Sequence, residues 1–234
     1  MTSPARVTLH GYQHSIYSWA VRLTLSEKGV DWDWHEVDPF SEPERAARRH
    51  PFAKVPVLVH GAFAVFETVA ILQYVDEAFD GPALQPEGAQ ARARMRQVQA
   101  IADAYAYWPM VRMLYSHRVF LPRQGEEADR AEAREGLSRA RPVLDALEGL
   151  TGEGPFFGGA APTLADLHLA PIVAAFAEAP EGGALLAHPP TRHERCGAPA
   201  ALCSVPGEKC VDTKDTSAYL GPEVTLEQHL IAIV

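Results

Sequence analysis

Residues 7–12 alternate apolar and polar positions in the way of a half-buried strand. A helical spacing follows over residues 18–28, with Trp19, Val21, Leu23 and Leu25 on the apolar side and a stop at Gly29. A second strand fits 32–37. Ser41-Glu42-Pro43-Glu44 then reads as a helix start, with Ser41 as its N-cap and Pro43 in the first turn. This predicts a βαβ unit complete by about residue 50. Two short apolar runs, 55–59 and 62–66, flank His60-Gly61, a two-residue connection of the hairpin kind, and the pattern turns helical over 68–79.

Residues 81–88 have the composition of a linker, rich in Gly and Pro. Beyond them the period is helical throughout, over 89–119, 126–150 and 163–179. The expected fold is therefore a mixed α/β domain, βαβ then ββα, over residues 1–80, followed by an all-helical domain over 89–190. Residues 191–234 lose the helical period and form an atypical tail that carries all three cysteines, Cys196, Cys203 and Cys210.

Composition narrows the chemistry. The chain of 234 residues has a formal net charge of −9, so no basic face invites nucleic acid, and an anionic ligand needs local cations. No stretch approaches the roughly 20 apolar residues of a membrane span, and a cytoplasmic protein without a membrane partner is expected. His193 and Cys196 form one closely spaced ligand pair where structural zinc sites use two, so no metal is expected.

Three motifs fall in order in the first 80 residues. Ser15-Ile16-Tyr17-Ser18-Trp19-Ala20-Val21-Arg22 puts hydroxyls where the first helix begins. HPFAKVPVL occupies 50–58, and Phe66-Glu67-Thr68-Val69-Ala70-Ile71-Leu72-Gln73-Tyr74 opens the third helix. Together they resemble the glutathione transferases of the serine type. The first is similar to the S-x-x-S-W-x-V-R segment of zeta enzymes and to the spacing of theta and phi enzymes. The second is similar to N-P-x-G-K-V-P-x-L, and the third to E-S-x-A-I-x-x-Y. Ala53 stands where the family often has glycine, and Tyr17 where zeta enzymes usually have cysteine. A fourth match, Thr163-Leu164-Ala165-Asp166, is similar to the family's S/T-x-x-D capping box and reads as structural.

The resemblance implies a thioredoxin-like domain that binds glutathione as co-substrate, with a helical domain that selects a small electrophile, in a homodimer. Ser15 would donate to the glutathione sulfur; Tyr17, Ser18 and Tyr12 are the other hydroxyls near that turn. Lys54 would sit near the glycine carboxylate, Val55 before a cis Pro56 would pair with the cysteinyl backbone, and Glu67 and Thr68 would take the γ-glutamyl ammonium and carboxylate. The aromatic helix 102–120 offers Tyr105, Trp108, Met113 and Tyr115 either as lining for a second substrate or as core. Asp103 would reach across a dimer interface. Besides transfer to an electrophile, a zeta-like cis–trans isomerase and a non-catalytic binding protein remain open. A reductase of the cysteine type needs a thiol where Ser15 stands.

Overall fold

A computed structural model describes residues 5–152 and 154–187. The tail 191–234, with the cysteines and His193, lies outside the described residues. The chain divides into two compact units, one ending at Pro82 and the next beginning at Ala83.

The first unit runs β1 (Val7–Gly11), α1 (Ile16–Glu27), β2 (Asp33–Glu36), α2 (Pro43–Ala47), β3 (Val57–His60), β4 (Phe63–Phe66) and α3 (Thr68–Ala78). The strands form one sheet in the order β2-β1-β3-β4. β1 lies parallel to β2 and antiparallel to β3, which is antiparallel to β4. This is the mixed four-stranded sheet of the thioredoxin-like class. Leu9 on β1 and Leu58 on β3 are register partners, and with Val21 and Leu25 of α1 and Ile71, Leu72 and Val75 of α3 they are fully shielded from water. Each such side chain contributes roughly 1.5–3 kcal/mol of burial.

Helix α1 is capped at both ends. Ser15 Oγ accepts from the Ser18 N–H at 3.2 Å, and Gly29, at φ +66°, takes the left-handed turn that lets the Val30 N–H reach back to the Leu25 carbonyl. A buried lysine joins the far ends of α1 and α3: Lys28 Nζ donates to Asp76 Oδ1 and the Asp76 carbonyl, each at 3.1 Å, and to the Pro82 carbonyl at 3.0 Å.

Local expectations shift in three places. Ser41 does not cap α2; its hydroxyl donates to Asp38 Oδ2 at 2.8 Å, and Glu42 occupies the cap position without a side-chain bond to the helix amides. The hairpin turn is Gly61-Ala62, because His60 is still paired with Phe63. β3 starts at Val57, after the proline that has no N–H for the ladder.

The second unit contains α4 (Ala89–Ile101), two π-wound segments (Ala102–Ala106 and Trp108–Phe120), α5 (Leu121–Arg123), α6 (Arg130–Glu148), α7 (Leu164–Glu178) and α8 (Pro180–Ala187). α6 approaches the second π segment closely at Gly136, where an added Cβ would lie 2.6 Å from Met113 Cβ and 2.7 Å from the Pro109 carbonyl oxygen. Thr163 and Asp166 form a capping box at the start of α7. Burial pushes the Asp166 carboxyl up, opposed by hydrogen bonds from Phe157 and Thr163. Among the described residues no single helix is long and apolar enough to cross a membrane.

Candidate functional site

The strand register brings the three motifs of the first unit to one edge of the sheet. His10, next to the last residue of β1, pairs with Val57, the first residue of β3, and Val57 pairs with Phe66, the last residue of β4. The turn carrying Ser15 leaves β1 at that edge, the loop carrying Lys54 and Val55 enters β3 there, and Glu67 and Thr68 leave β4 there. Two inter-strand spacings, about 10 Å, separate the first line from the third.

Ser15 is buried, and its cap bond uses the hydroxyl as acceptor. A hydroxyl has one proton as well as two lone pairs, so capping does not consume its donor. The helix behind it is 12 residues long, and its N-terminal amides add positive potential at the same point. The turn is braced from β2: Glu36 accepts from the Gln13 N–H at 3.0 Å and from Trp34 Nε1 at 2.8 Å.

The other hydroxyls are placed differently. Ser18 is buried and accepts from the Tyr12 N–H at 3.3 Å, so it holds the backbone of the turn. Tyr12 is buried with its ring edge against Phe40, and burial first, then Asp38 and Glu36, raises its phenol above the usual value. Tyr17 is half-buried in the first turn of α1.

The Val55–Pro56 peptide is cis. Lys54 is half-buried just before it, whereas Lys28, the other lysine among the described residues, is held by Asp76 and Pro82. Ala53, at the position where the resembled pattern has glycine, adopts the left-handed φ of +53° with a Cβ present. Glu67 is at φ +70° and gives α3 no side-chain cap. The first amides of α3 have no partner within the helix, and Thr68, at its first position, is buried.

One residue of this edge carries no role in the sequence reading. His50 is buried, its Nδ1 accepts from the Phe52 N–H at 3.1 Å, and its Nε2 lies 3.8 Å from Glu67 Oε1. Burial lowers its basicity, Glu67 opposes that, and Lys54 adds to it. The sequence signal was present: a histidine stands where the family pattern has asparagine.

In the second unit, Tyr105 and Trp108 are exposed, 64% and 42%. Met113 is buried against Gly136 and belongs to the core. The Tyr115 phenol is pushed up to about 12 by burial, then Glu178, with Arg123 opposing. Asp103 bonds within its own chain, to the fully buried His168 Nε2 at 2.8 Å. No cluster of three or more metal-ligating side chains occurs among the described residues.

Comparison with known proteins covers both units. Residues 9–83 match the family model described as glutathione S-transferase, N-terminal domain, and residues 101–192 match its C-terminal domain. Glutathione S-transferase F10 of Arabidopsis thaliana is 33% identical over 151 residues, 62% of this chain and 69% of the relative. A stringent starvation protein A homolog of Coxiella burnetii is 32% identical over 167 residues, 71% and 74% of the two chains. The crystal structure of glutathione transferase F2 from Populus trichocarpa superposes with a TM-score of 0.68 at 25% identity, covering 81% of this chain and 90% of that one.

Proposed function

The chain belongs to the glutathione S-transferase family, and from that premise we propose that it activates the thiol of glutathione for attack on a small electrophile. The observation that carries the reading is Ser15: a buried hydroxyl at a helix N-terminus whose cap bond leaves its proton to be donated.

The glutathione thiol has the ordinary cysteine value near 8.5, so little of it is thiolate at neutral pH. The Ser15 O–H donates to sulfur, and the α1 amides favour its negative charge. Lys54 meets the glycine carboxylate. Val55 offers its backbone N–H and C=O to the cysteinyl residue, as an added strand would, and Pro56 fixes the bend. Thr68 and the uncapped first turn of α3 take the γ-glutamyl carboxylate, and Glu67 takes the ammonium. The sulfur electron pair then forms the S–C bond, the leaving group departs with the pair from its own bond, and the thiol proton passes to solvent. No metal takes part in this scheme. Tyr105 and Trp108 supply exposed aromatic surface for an apolar substrate, and the protein acts in the cytoplasm as a homodimer that contributes to detoxification.

A second reading, glutathione binding without turnover, is favoured by the Coxiella relative, which matches as well as the plant transferase and whose name carries no transferase activity. Calorimetric titration with glutathione, followed by turnover assays on aryl halides and on activated alkenes, separates the readings. Binding with loss of the aryl substrate supports transfer, and isomerisation of the alkene without consumption of glutathione indicates a zeta-like enzyme. Binding without either supports the non-catalytic reading, and absence of binding refutes all three.

A further inference from the structure

His50 joins two loops that sequence separates. Its backbone carbonyl accepts from the Ala53 N–H at 2.9 Å, and its ring Nδ1 accepts from the Phe52 N–H at 3.1 Å. The imidazole therefore closes the turn into β3 much as an asparagine carboxamide closes an Asx turn. Unlike a carboxamide, the ring continues outward. It lies against Phe66, centroids 4.7 Å apart, and its second nitrogen faces Glu67 Oε1 at 3.8 Å.

The Phe52 N–H fixes Nδ1 as acceptor, so a neutral ring carries its proton on Nε2, on the Glu67 side. At 3.8 Å this is an orienting dipole rather than a formed hydrogen bond. Glu67 needs such orientation: its backbone sits at φ +70° and its side chain is 63% exposed. A long, exposed carboxylate loses rotamer freedom when it binds a cation, and a neighbour that restricts it beforehand reduces that loss.

We propose that His50 is a positioning residue for recognition of the γ-glutamyl ammonium: it ties the turn before β3 to Glu67 and aims the Glu67 carboxylate at the α-amino group. The proposal rests on the glutathione reading given above. It makes His50 a determinant of selectivity for ligands that carry a free α-ammonium, acting through Glu67 without touching the reacting sulfur.

The test compares glutathione with its analogue lacking the α-amino group, by calorimetry on the full chain. His50→Asn keeps an acceptor for the Phe52 N–H and removes the group facing Glu67. It should weaken glutathione about fivefold while leaving the deaminated analogue within about twofold, the scale of a modest interaction with a charged group. In a Glu67→Gln background the same substitution should have no further effect on that ratio. An unchanged ratio in His50→Asn, or equal weakening of both ligands, overturns the proposal. Should the variant fold poorly, nitrogen NMR of the wild-type imidazoles decides: glutathione should move the His50 Nε2 signal and the deaminated analogue should not, and equal movement or none overturns it. Wild-type protein that binds no glutathione removes the functional reading and this one with it. Binding with the ratio unchanged in the variant removes this one alone.

Discussion

Replacing Lys28 with methionine should destabilise the first unit far more than a typical surface substitution. The Lys28 and Asp76 side chains are 3% and 7% exposed, and the ammonium serves the Asp76 carboxylate and two backbone carbonyls at 3.0–3.1 Å. Methionine fills the space of the alkyl stem and takes the Lys28 ammonium away from the buried carboxylate, a loss of about 3–5 kcal/mol. Adding Asp76→Asn removes the buried charge as well. What remains is the loss of donors to the two carbonyls, about 1 kcal/mol each, so the double variant should sit about 2 kcal/mol below wild type. Urea unfolding followed by tryptophan fluorescence reads this directly, because Trp19, Trp32 and Trp34 lie in the first unit and only Trp108 in the second. A single variant within 1 kcal/mol of wild type, or a double variant less stable than the single, refutes the assignment of Lys28 as a buried clamp.

Ala53→Gly should raise the stability of the same unit by about 1 kcal/mol, because Ala53 holds φ +53° against its Cβ; a lower urea midpoint contradicts this. His10 is held down to about 4 from 6.5 by burial first, then Arg49, His35 and Arg45. Between those values the unfolded chain binds more protons, so this contribution is fully present above pH 6.5 and is lost as pH falls toward 4, by about 1.4 kcal/mol per unit of depression. His10→Asn should flatten that part of the stability–pH curve, and an unchanged slope refutes the cause. Phe52 is 66% exposed, with Phe63 and Phe66 also open on the same unit. Phe52→Asp should shift the proposed homodimer toward monomer in sedimentation, and a variant as dimeric as wild type excludes Phe52 from the proposed interface.

Much of the fold was legible because local patterns agreed with it. Period-2 and helical stretches alternated in the first unit, and the second carried sustained helical period with a Thr163-Asp166 box. The misplacements are instructive. Ser41 has the chemistry of an N-cap, but α2 begins at Pro43, so Glu42 holds the cap position and Ser41 stands one residue before it, its hydroxyl donating to Asp38. The π winding of 102–120 was invisible to a period count: the stretch is apolar on most sides, and Pro109 removes an amide that a regular α-helix would use. At the site, Ser15 could be singled out because a capping serine and the proposed donor serine share one position; the structure shows the capping bond. The histidine at position 50 was visible as a departure from the asparagine of the pattern, but its approach to Glu67 depends on the pairing of β3 with β4.

The thiolate absorbance of bound glutathione, followed against pH in wild type and Ser15→Ala, tests the central claim most directly. A hydrogen bond to a charged sulfur is worth about 1.5–3 kcal/mol, so its removal should raise the pH at which the thiolate band appears by about one to two units, with glutathione still bound. A band that titrates at the same pH in both proteins contradicts the account, since the anion would then owe nothing to Ser15.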